Sequence, residues 1–454
     1  MATVFQLKEG STTTDLNDAS ATFLSKYTPA VGDFGADSIT ETVVIIVDGA
    51  ETVLDSTRST IIKHLYNAHA RQNNRSRDKT FIHFHPDGSA AEYRSEILDG
   101  KIANETNVHG EAWGVNAIEF SIIWTRRNYW EGAEAQVPLT NTNGTDNIAG
   151  LNIYNCNDGA GSSPNDRVNY CSIKAADVGG DLPGATRLEM TNAYNDADYL
   201  GYVWIGHNFT DPANHVWNYE GEDAAGGTPT VDAVNSSGGD YNLLSVSSGP
   251  AFQELLTWTI ATGVVDAAKG GAMKAIIRFS ASSDAADDIW WRFSIKVNTF
   301  KLWQSGRAKI DSNYGLLIRD IATFNLPPWL RGQTSQSAFN LILEGQQETG
   351  GAVAPKIDTL YLIPADGWRY IQTNDSIPHN QRLVDDGISD STYIDNGNGL
   401  GKRSACVGYG SPILLEPGKL QRLYFLMHTT SNDVAEVARY LSVKLFYRPR
   451  RYTI

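Results

Sequence analysis

Two histidines, His83 and His85, sit two residues apart in the run FIHFH, where a strand would turn both imidazoles to one face. Imidazoles at that spacing can serve a metal, and a ring of subunits could bring several copies together. The adjacent Pro86-Asp87-Gly88 turn explains polar residues there equally well, and no carboxylate or cysteine stands at a matching sequence distance. Glu220 and Glu222 share a strand face in the same way within WNYEGEDA. Acidic clusters at Asp284, Asp287 and Asp288, and at Asp385, Asp386, Asp390 and Asp395, could supply the paired carboxylates of glycoside hydrolysis. With 52 Asp and Glu in the chain such pairs arise by chance, and no flanking signature marks one. G-x-S-x-G, P-loop and H-E-x-x-H patterns are absent, so no catalytic residue is assigned and the chain is read as a non-enzyme.

At 454 residues the chain can hold two or three domains, each with its own core. Its 41% hydrophobic and 20% charged content argues against wholesale disorder. The 41 glycines, amid dense Asn, Asp, Ser and Thr, predict frequent turns and short strands. No apolar run approaches the roughly 18 residues of a spanning helix, so membrane insertion is not expected. The opening MATVFQLKEGSTTT lacks a basic region followed by an apolar core, which predicts no standard signal peptide. A formal charge of −15 disfavours non-specific nucleic-acid binding, and no sequence-specific nucleic-acid partner is expected. Cys156, Cys171 and Cys406 are odd in number and not spaced for metal, so neither a disulfide scaffold nor a zinc site is indicated.

The elements that must position these residues fall into several regions. Over 1–135, a strand at 41–48 carrying Val43, Ile45 and Val47 ends at the Asp48-Gly49 turn. Ser56 or Thr57 can cap a helix running to about Ala70, with Ile61, Ile62, Leu65 and Tyr66 on one face. RQNNRSRDK at 71–79 reads as a basic loop, 81–85 and 92–98 as a hairpin, and Asp99-Gly100 as a further turn. A long strand at 112–125 follows. In IEFSIIWTRRNYW, residues Ile118, Phe120, Ile122 and Trp124 alternate with Glu119, Ser121 and Ile123. The economical reading is a small β-sandwich or barrel flanked by one helix.

This layout, closed by R-R-N-Y-W-E-G at 126–132, resembles the N-terminal domain of phage distal tail and tail-tube proteins. The resemblance implies a ring, usually of six copies, around the DNA channel. It further implies location in the virion, assembly in the host cytoplasm and contact with other tail proteins. In such a ring, open edges at 43–47 and 112–125 would be paired by neighbouring copies. Val43, Ile45 and Val47, with Arg75 and Arg77 of the basic loop, are the expected oligomer contacts. The tail Arg448, Arg450 and Arg451 could bridge to the acidic surface of a neighbour.

Residues 136–216 and 366–454 read as short strands that pair into one β-sandwich, with 217–365 inserted between them. The inserted segment opens on Glu-x-Glu at 220–222 and closes on IDTLYLI at 357–363. It resembles the galactose-binding-like jelly rolls found as carbohydrate-binding modules. That resemblance implies a structural calcium held by Glu220, Glu222 and Asp358, with Gly221 where the family commonly has Ala. Oxygen ligands from separate segments suit such a hard cation. Flat rings can stack on sugars, and Trp329 (after Pro327-Pro328), Tyr241 and Trp303 are the candidate glycan contacts. Trp290 and Trp291 must face opposite sides of their strand.

The expected fold is therefore mainly β: a tail-tube-like domain with one helix, then β-sandwich and jelly-roll modules. The expected function is a structural component of a phage tail, ring-forming, displaying its β-modules outward and able to contact host glycans. A free carbohydrate-binding or adhesin protein is the alternative, and a glycan hydrolase with an unidentified acid pair the next.

Overall fold

The computed structural model describes residues 4–454 except 19, 32–34, 76, 86–91, 108–115, 142–146, 159–166, 196–199, 209–217, 262–271, 281–288, 310–317, 326–337, 396–405 and 430–436. The chain is mainly β, with five antiparallel sheets and a single α-helix among the described residues. It divides into two compact units. One comprises Met1–Ala135, Gly179–Gly184 and Arg448–Ile454, the other Gln136–Val178 and Ala185–Tyr447.

The first unit contains β1 (Val4–Glu9), β2 (Thr12–Asp15), β3 (Thr22–Lys26), β4 (Ser38–Val47), α1 (Glu51–Asn73), β5 (Thr80–His85), β6 (Tyr93–Asn107), β7 (Ile118–Arg127) and β8 (Trp130–Glu131). The sheet order is β2-β1-β5-β6-β7-β4-β3, so it is one open sheet and not a closed barrel. The helix covers one face. The alternation of β7 holds: Phe120, Ile122 and Trp124 are fully buried, and Arg126 follows them inward at the next even step.

Several local expectations are corrected. The helix starts at Glu51 rather than at Ser56 or Thr57, with Ala50 extended before it and no side-chain cap. Glu51 in its first turn complements the helix dipole. It buries Leu54, Ile61, His64, Leu65, Ala68 and Arg71, whereas Ile62 and Tyr66 are exposed. Arg71 is thus helical and buried, not in a loop, and its guanidinium binds the Arg75 and Arg77 carbonyls. Asp99-Gly100 is no turn: β6 runs through it with a register shift between Ile97 and Asp99. A Cβ on Gly100 would meet Leu65 Cδ2 at 2.8 Å, so glycine there lets helix and sheet approach. The Pro86-Asp87-Gly88 turn lies outside the described residues.

The expected sheet edges are also displaced. β4 lies between β7 and β3, and β7 between β6 and β4, so neither is an edge. Val43, Ile45 and Val47 are fully buried in the unit's own core and cannot be oligomer contacts, because alternation sends them under the helix-covered face. Arg75 and Arg77 are exposed, with Arg77 Nη1 3.1 Å from Asn67 Oδ1. The basic tail belongs to this unit, not to the sandwich at 366–454. Arg450 and Arg451 pair with β8, and Arg450 Nη2 lies 3.2 Å from Glu131 Oε1. Arg448 Nε stands 4.0 Å from Glu134.

The second unit contains two pairs of sheets. Segments on either side of 218–364 share two of them: one ordered Leu151–Tyr154, Tyr440–Tyr447, Gly184–Asn192, Arg382–Asp386, Ser391–Asp395, the other Tyr170–Ile173, Gln421–Thr429, Leu200–Asn208, Trp368–Ile377, Cys406–Gly410. Ile153, Leu188, Val203, Ile371, Phe425 and Leu445 pack between them. The other pair is drawn entirely from 218–364. One sheet includes Ala272–Phe279 and Lys356–Pro364, the other Gln253–Ile260, Ile289–Val297 and Phe339–Gln347. Trp258, Trp291, Phe293 and Leu360 fill the space between them.

The most deeply buried ion pair among the described residues of the first unit joins Arg126 and Glu41, whose side chains are 0% and 2% exposed. Glu41 also accepts from Tyr27 Oη at 2.8 Å, the Ala30 amide at 2.7 Å and Trp124 Nε1 at 3.3 Å. Arg126→Met strands a buried carboxylate and is expected to destabilise the first unit by about 3–5 kcal/mol. Hydrogen exchange of the Ser38–Val47 amides across a urea series would measure it. An unchanged unfolding free energy would reject the account.

Candidate functional site

The carboxylates singled out in the jelly-roll segment do come together. Glu220 ends the strand Asn218–Glu220, which pairs with Lys356–Pro364 (Glu220 opposite Thr359) next to Asp358. Gly221 follows, and a Cβ there would lie 2.7 Å from the Asp358 carbonyl oxygen and closer still to that of Ile357. The alanine of the resembled family does not fit here, because the turn passes directly over the neighbouring backbone. Gly238 (φ 69°) closes the other side, and a Cβ on it would fall 2.6 Å from Glu222 Oε1.

Asp358 is fully buried. Its Oδ1 accepts the Ser237 amide at 2.8 Å, and its Oδ2 accepts Nε of Arg278, itself 1% exposed. Glu220 Oε1 accepts from Ser237 Oγ at 3.1 Å and from Asn218 Nδ2 at 3.2 Å. The second oxygens of Glu220 and Glu222 are buried without a hydrogen-bond partner among the described residues, as is Arg278 Nη2. Burial, and then the neighbouring Asp358, raise Glu220 well above the ordinary carboxylate range. Burial raises Glu222 to about 7, with Asp358, Asp223 and Asp240 adding to it. Asp358 is raised to about 6 by burial, which outweighs the opposing pull of Arg278.

This donor set does not fit calcium. A hard cation takes about six to eight oxygens, yet both oxygens of Asp358 are committed to an amide and a guanidinium. Among the described residues no three His, Cys, Asp or Glu side chains converge to hold a metal. The calcium expectation for Glu220, Glu222 and Asp358 is therefore corrected: the positive charge at this cluster is Arg278, which no sequence motif marked.

The same finding covers the histidine pair. His83 Nδ1 bonds Glu92 Oε1, while His85 Nε2 is 4.0 Å from Glu92 Oε2 and Lys8 Nζ 3.4 Å from Oε1. Burial holds His83 down to about 4. Lys8 already balances the carboxylate a metal would need. The acidic group at 385–395 is likewise committed: Asp385 binds Arg369 and Thr392, Asp386 caps the turn at Ile388 and Ser389, and Asp395 pairs with Arg382.

Of the glycan candidates, Trp329 lies outside the described residues. Tyr241 is 7% exposed beneath Lys356, whose Nζ is 5.0 Å from the ring centroid, and Trp303 packs half-buried on Phe324 at 5.5 Å. Tyr241 is thus buried, and Trp303 is a partly buried ring packed against the module's core. A different aromatic row stands on the sandwich sheet. Trp204 stacks on Tyr370 at 4.6 Å, Tyr202 lies parallel to Tyr370 at 6.2 Å, and Tyr370 stacks on Tyr409 at 5.7 Å. Trp204 is 8% exposed, whereas Tyr409, on the terminal strand Cys406–Gly410, is 48% exposed. The period-two spacing of Tyr202 and Trp204, and of Trp368 and Tyr370, was its only signal in sequence.

No protein-family model matches this chain, and no curated protein matches it. Among solved structures it is similar to the T13 IBDV viral particle, at 7% identity over 70% of this chain and 78% of that one, with a TM-score of 0.18. A structure of infectious bursal disease virus, Gx strain, gives 8% identity over 70% and 81%, with a TM-score of 0.16. Likenesses this weak say nothing about fold or function.

Glu222 generates a pH prediction. Its folded value lies above the unfolded one, so the unfolded chain loses its proton first as pH rises. Stability is then fullest near the ordinary carboxylate value and declines as pH climbs toward about 7. Groups facing it are Asp358, Asp223 and Asp240, with Glu220 and Arg278 beside them. Glu222→Gln should stabilise the second unit at pH 8 by on the order of 1 kcal/mol, after allowance for solvent screening, and do little at pH 5. Denaturant melts at the two pH values would read this, and an equal effect at both would contradict it.

Proposed function

We propose that this chain is a structural component of a phage tail, assembled into a closed ring through its first unit. The observation that carries the reading is the open sheet. Its path ends in β2 on one side and β3 on the other, each paired along one edge only among the described residues. A sheet with two different free edges can continue from copy to copy, β2 of one against β3 of the next. Head-to-tail contacts of this kind close into rings when the rotation permits. Both strands are short, and β3 carries a register shift at Leu24/Lys26 and a terminal Lys26, features that limit unregulated edge pairing. β2 is itself held in place: Thr14 Oγ1 lies 2.9 Å from His64 Nε2 on the helix. The R-R-N-Y-W-E-G corner supports the same family, and a net charge of −15 suits a channel that lets DNA pass. Copies of itself and other tail proteins are the proposed partners, in the virion after assembly in the host cytoplasm. No catalytic role is proposed.

The full chain is expected to form ring-sized oligomers by light scattering and electron microscopy. Thr13→Pro, on the exposed edge strand, should shift it toward monomer with its circular dichroism retained. A wild-type chain that stays monomeric at high concentration would remove this reading.

A second reading, glycan contact, is favoured by the aromatic row of the second unit. Tyr409 ends the stack and is 48% exposed, so a sugar ring could extend it. Tyr409→Ala should abolish any binding seen on a glycan array while leaving the melting temperature within about 2 °C of wild type, as for a surface change. Retained binding in that variant would place the contact elsewhere.

A further inference from the structure

The arrangement around Arg278 goes beyond the ring and glycan readings and does not depend on either. Arg278 lies on Ala272–Phe279, inside the jelly-roll segment, yet its Nη1 donates to the backbone oxygen of Asn155 and, at 3.2 Å, to Asn155 Oδ1. Asn155 belongs to the flanking sandwich. Its side chain is fixed there by the Met427 amide (2.9 Å) and the Met427 carbonyl (3.0 Å), and its own amide donates to Arg439 O at 2.9 Å.

The next residues of that loop return the contact. The Asn157 amide donates to Ser237 Oγ at 2.9 Å, and Asp158 Oδ1 accepts the Gly238 amide at 2.9 Å. Ser237, fully buried, gives its own amide to Asp358 and its hydroxyl to Glu220. The hydrogen bonds therefore form a closed circuit: Arg278 to Asn155, along the chain to Asn157 and Asp158, across to Ser237 and Gly238, and back through Asp358 to Arg278.

We propose that the Arg278 guanidinium is the resident cation of this acidic cluster, in place of a metal ion, and that through Asn155 it clamps the jelly roll onto the 155–158 loop of the sandwich. A guanidinium suits this role because its planar fork sends donors in several directions at once, whereas a spherical ion would need oxygens converging on one point. It also explains the location of the cluster. The arginine ties together two segments far apart in sequence, at 155–158 and 278. A divalent ion brought to the free oxygens of Glu220 and Glu222 would meet this fixed positive charge.

The test uses the full chain. Titration calorimetry with calcium chloride should show no saturable heat, and melting temperatures in calcium and in EDTA should coincide. Arg278→Lys keeps the charge but loses the fork. It should raise hydrogen exchange at the Asn157 and Gly238 amides about tenfold with exchange in the first unit unchanged. If that variant does not fold, the pair Arg278→Met with Asp358→Asn, which removes the two partners of the buried ion pair together, should show the same local increase. Saturable calcium binding that raises the melting temperature would overturn the cation assignment. Unchanged exchange at Asn157 and Gly238 in the folded variant would overturn the clamp.

Discussion

A guanidinium withdrawn from water must find its hydrogen bonds inside the protein, and Arg278 finds them in two segments of the second unit that are over a hundred residues apart, at Asn155 and at Asp358. Much of the local architecture follows from that need. The Asp358 carboxylate sits beside it and the Ser237 amide occupies the other carboxylate oxygen; Gly221 is a glycine because the neighbouring backbone leaves no room for a Cβ, and Gly238 because its φ of 69° disfavours a side chain. Glu220 and Glu222 are drawn into the same buried space, where one fixed positive charge cannot balance every carboxylate. Their affinity for protons rises accordingly.

The first unit uses the same device in a different setting. Trp124 and Arg126 lie two apart on β7, so the alternation that buries the tryptophan carries the arginine inward as well. Glu41, on the adjacent strand β4 and directly opposite Trp124, supplies the answering charge, and Tyr27 and the Ala30 amide complete its hydrogen bonding. A buried pair of this kind adds little net stability over apolar packing, but it penalises any register in which the two strands slip. For a unit proposed to join copies edge to edge, a sheet locked in register is a useful property.

The legible part of the fold was its periodicity. Ile118, Phe120, Ile122 and Trp124 were read as sharing one face, and that face is the inner one, with Phe120, Ile122 and Trp124 fully buried and Ile118 partly so; Trp291 is buried while Trp290 is half-exposed. Strands at 151–154, 170–173, 184–192, 289–297 and 356–364 fall where short alternating or apolar runs bounded by turn residues stand in the chain. Elements whose signal is competition between neighbours were less legible. Ser56 looked like a cap, yet the helix begins five residues earlier and Ser56 Oγ bonds back to Val53 O at 3.0 Å. Asp99-Gly100 looked like a turn, yet glycine is there for close packing against Leu65. Within the candidate sites, spacing put Glu220 and Glu222 on one face and the jelly-roll resemblance added Asp358, but neither pointed to Arg278, because an arginine on an alternating strand looks solvent-facing until its partner is known.

Taken alone, the order of residues determined that this is a chain of many short strands, that one helix stands early in it, and which side chains share a strand face, because those properties depend on spacing along the backbone. Which strands are edges, which carboxylates hold a cation and which aromatic rings keep a free face were decided only by the tertiary structure. Val43, Ile45 and Val47 became core because their face of β4 packs with the helix residues Leu54, Ile61 and Leu65, and β4 is no edge because β3 and β7 flank it; Tyr409 lies 48% exposed on a strand that ends its sheet. The calcium pattern became an arginine site because Asn155, over a hundred residues away in the chain, comes within reach of Arg278. Neighbourhood across sheets is a matter of long-range pairing, and no local period carries it.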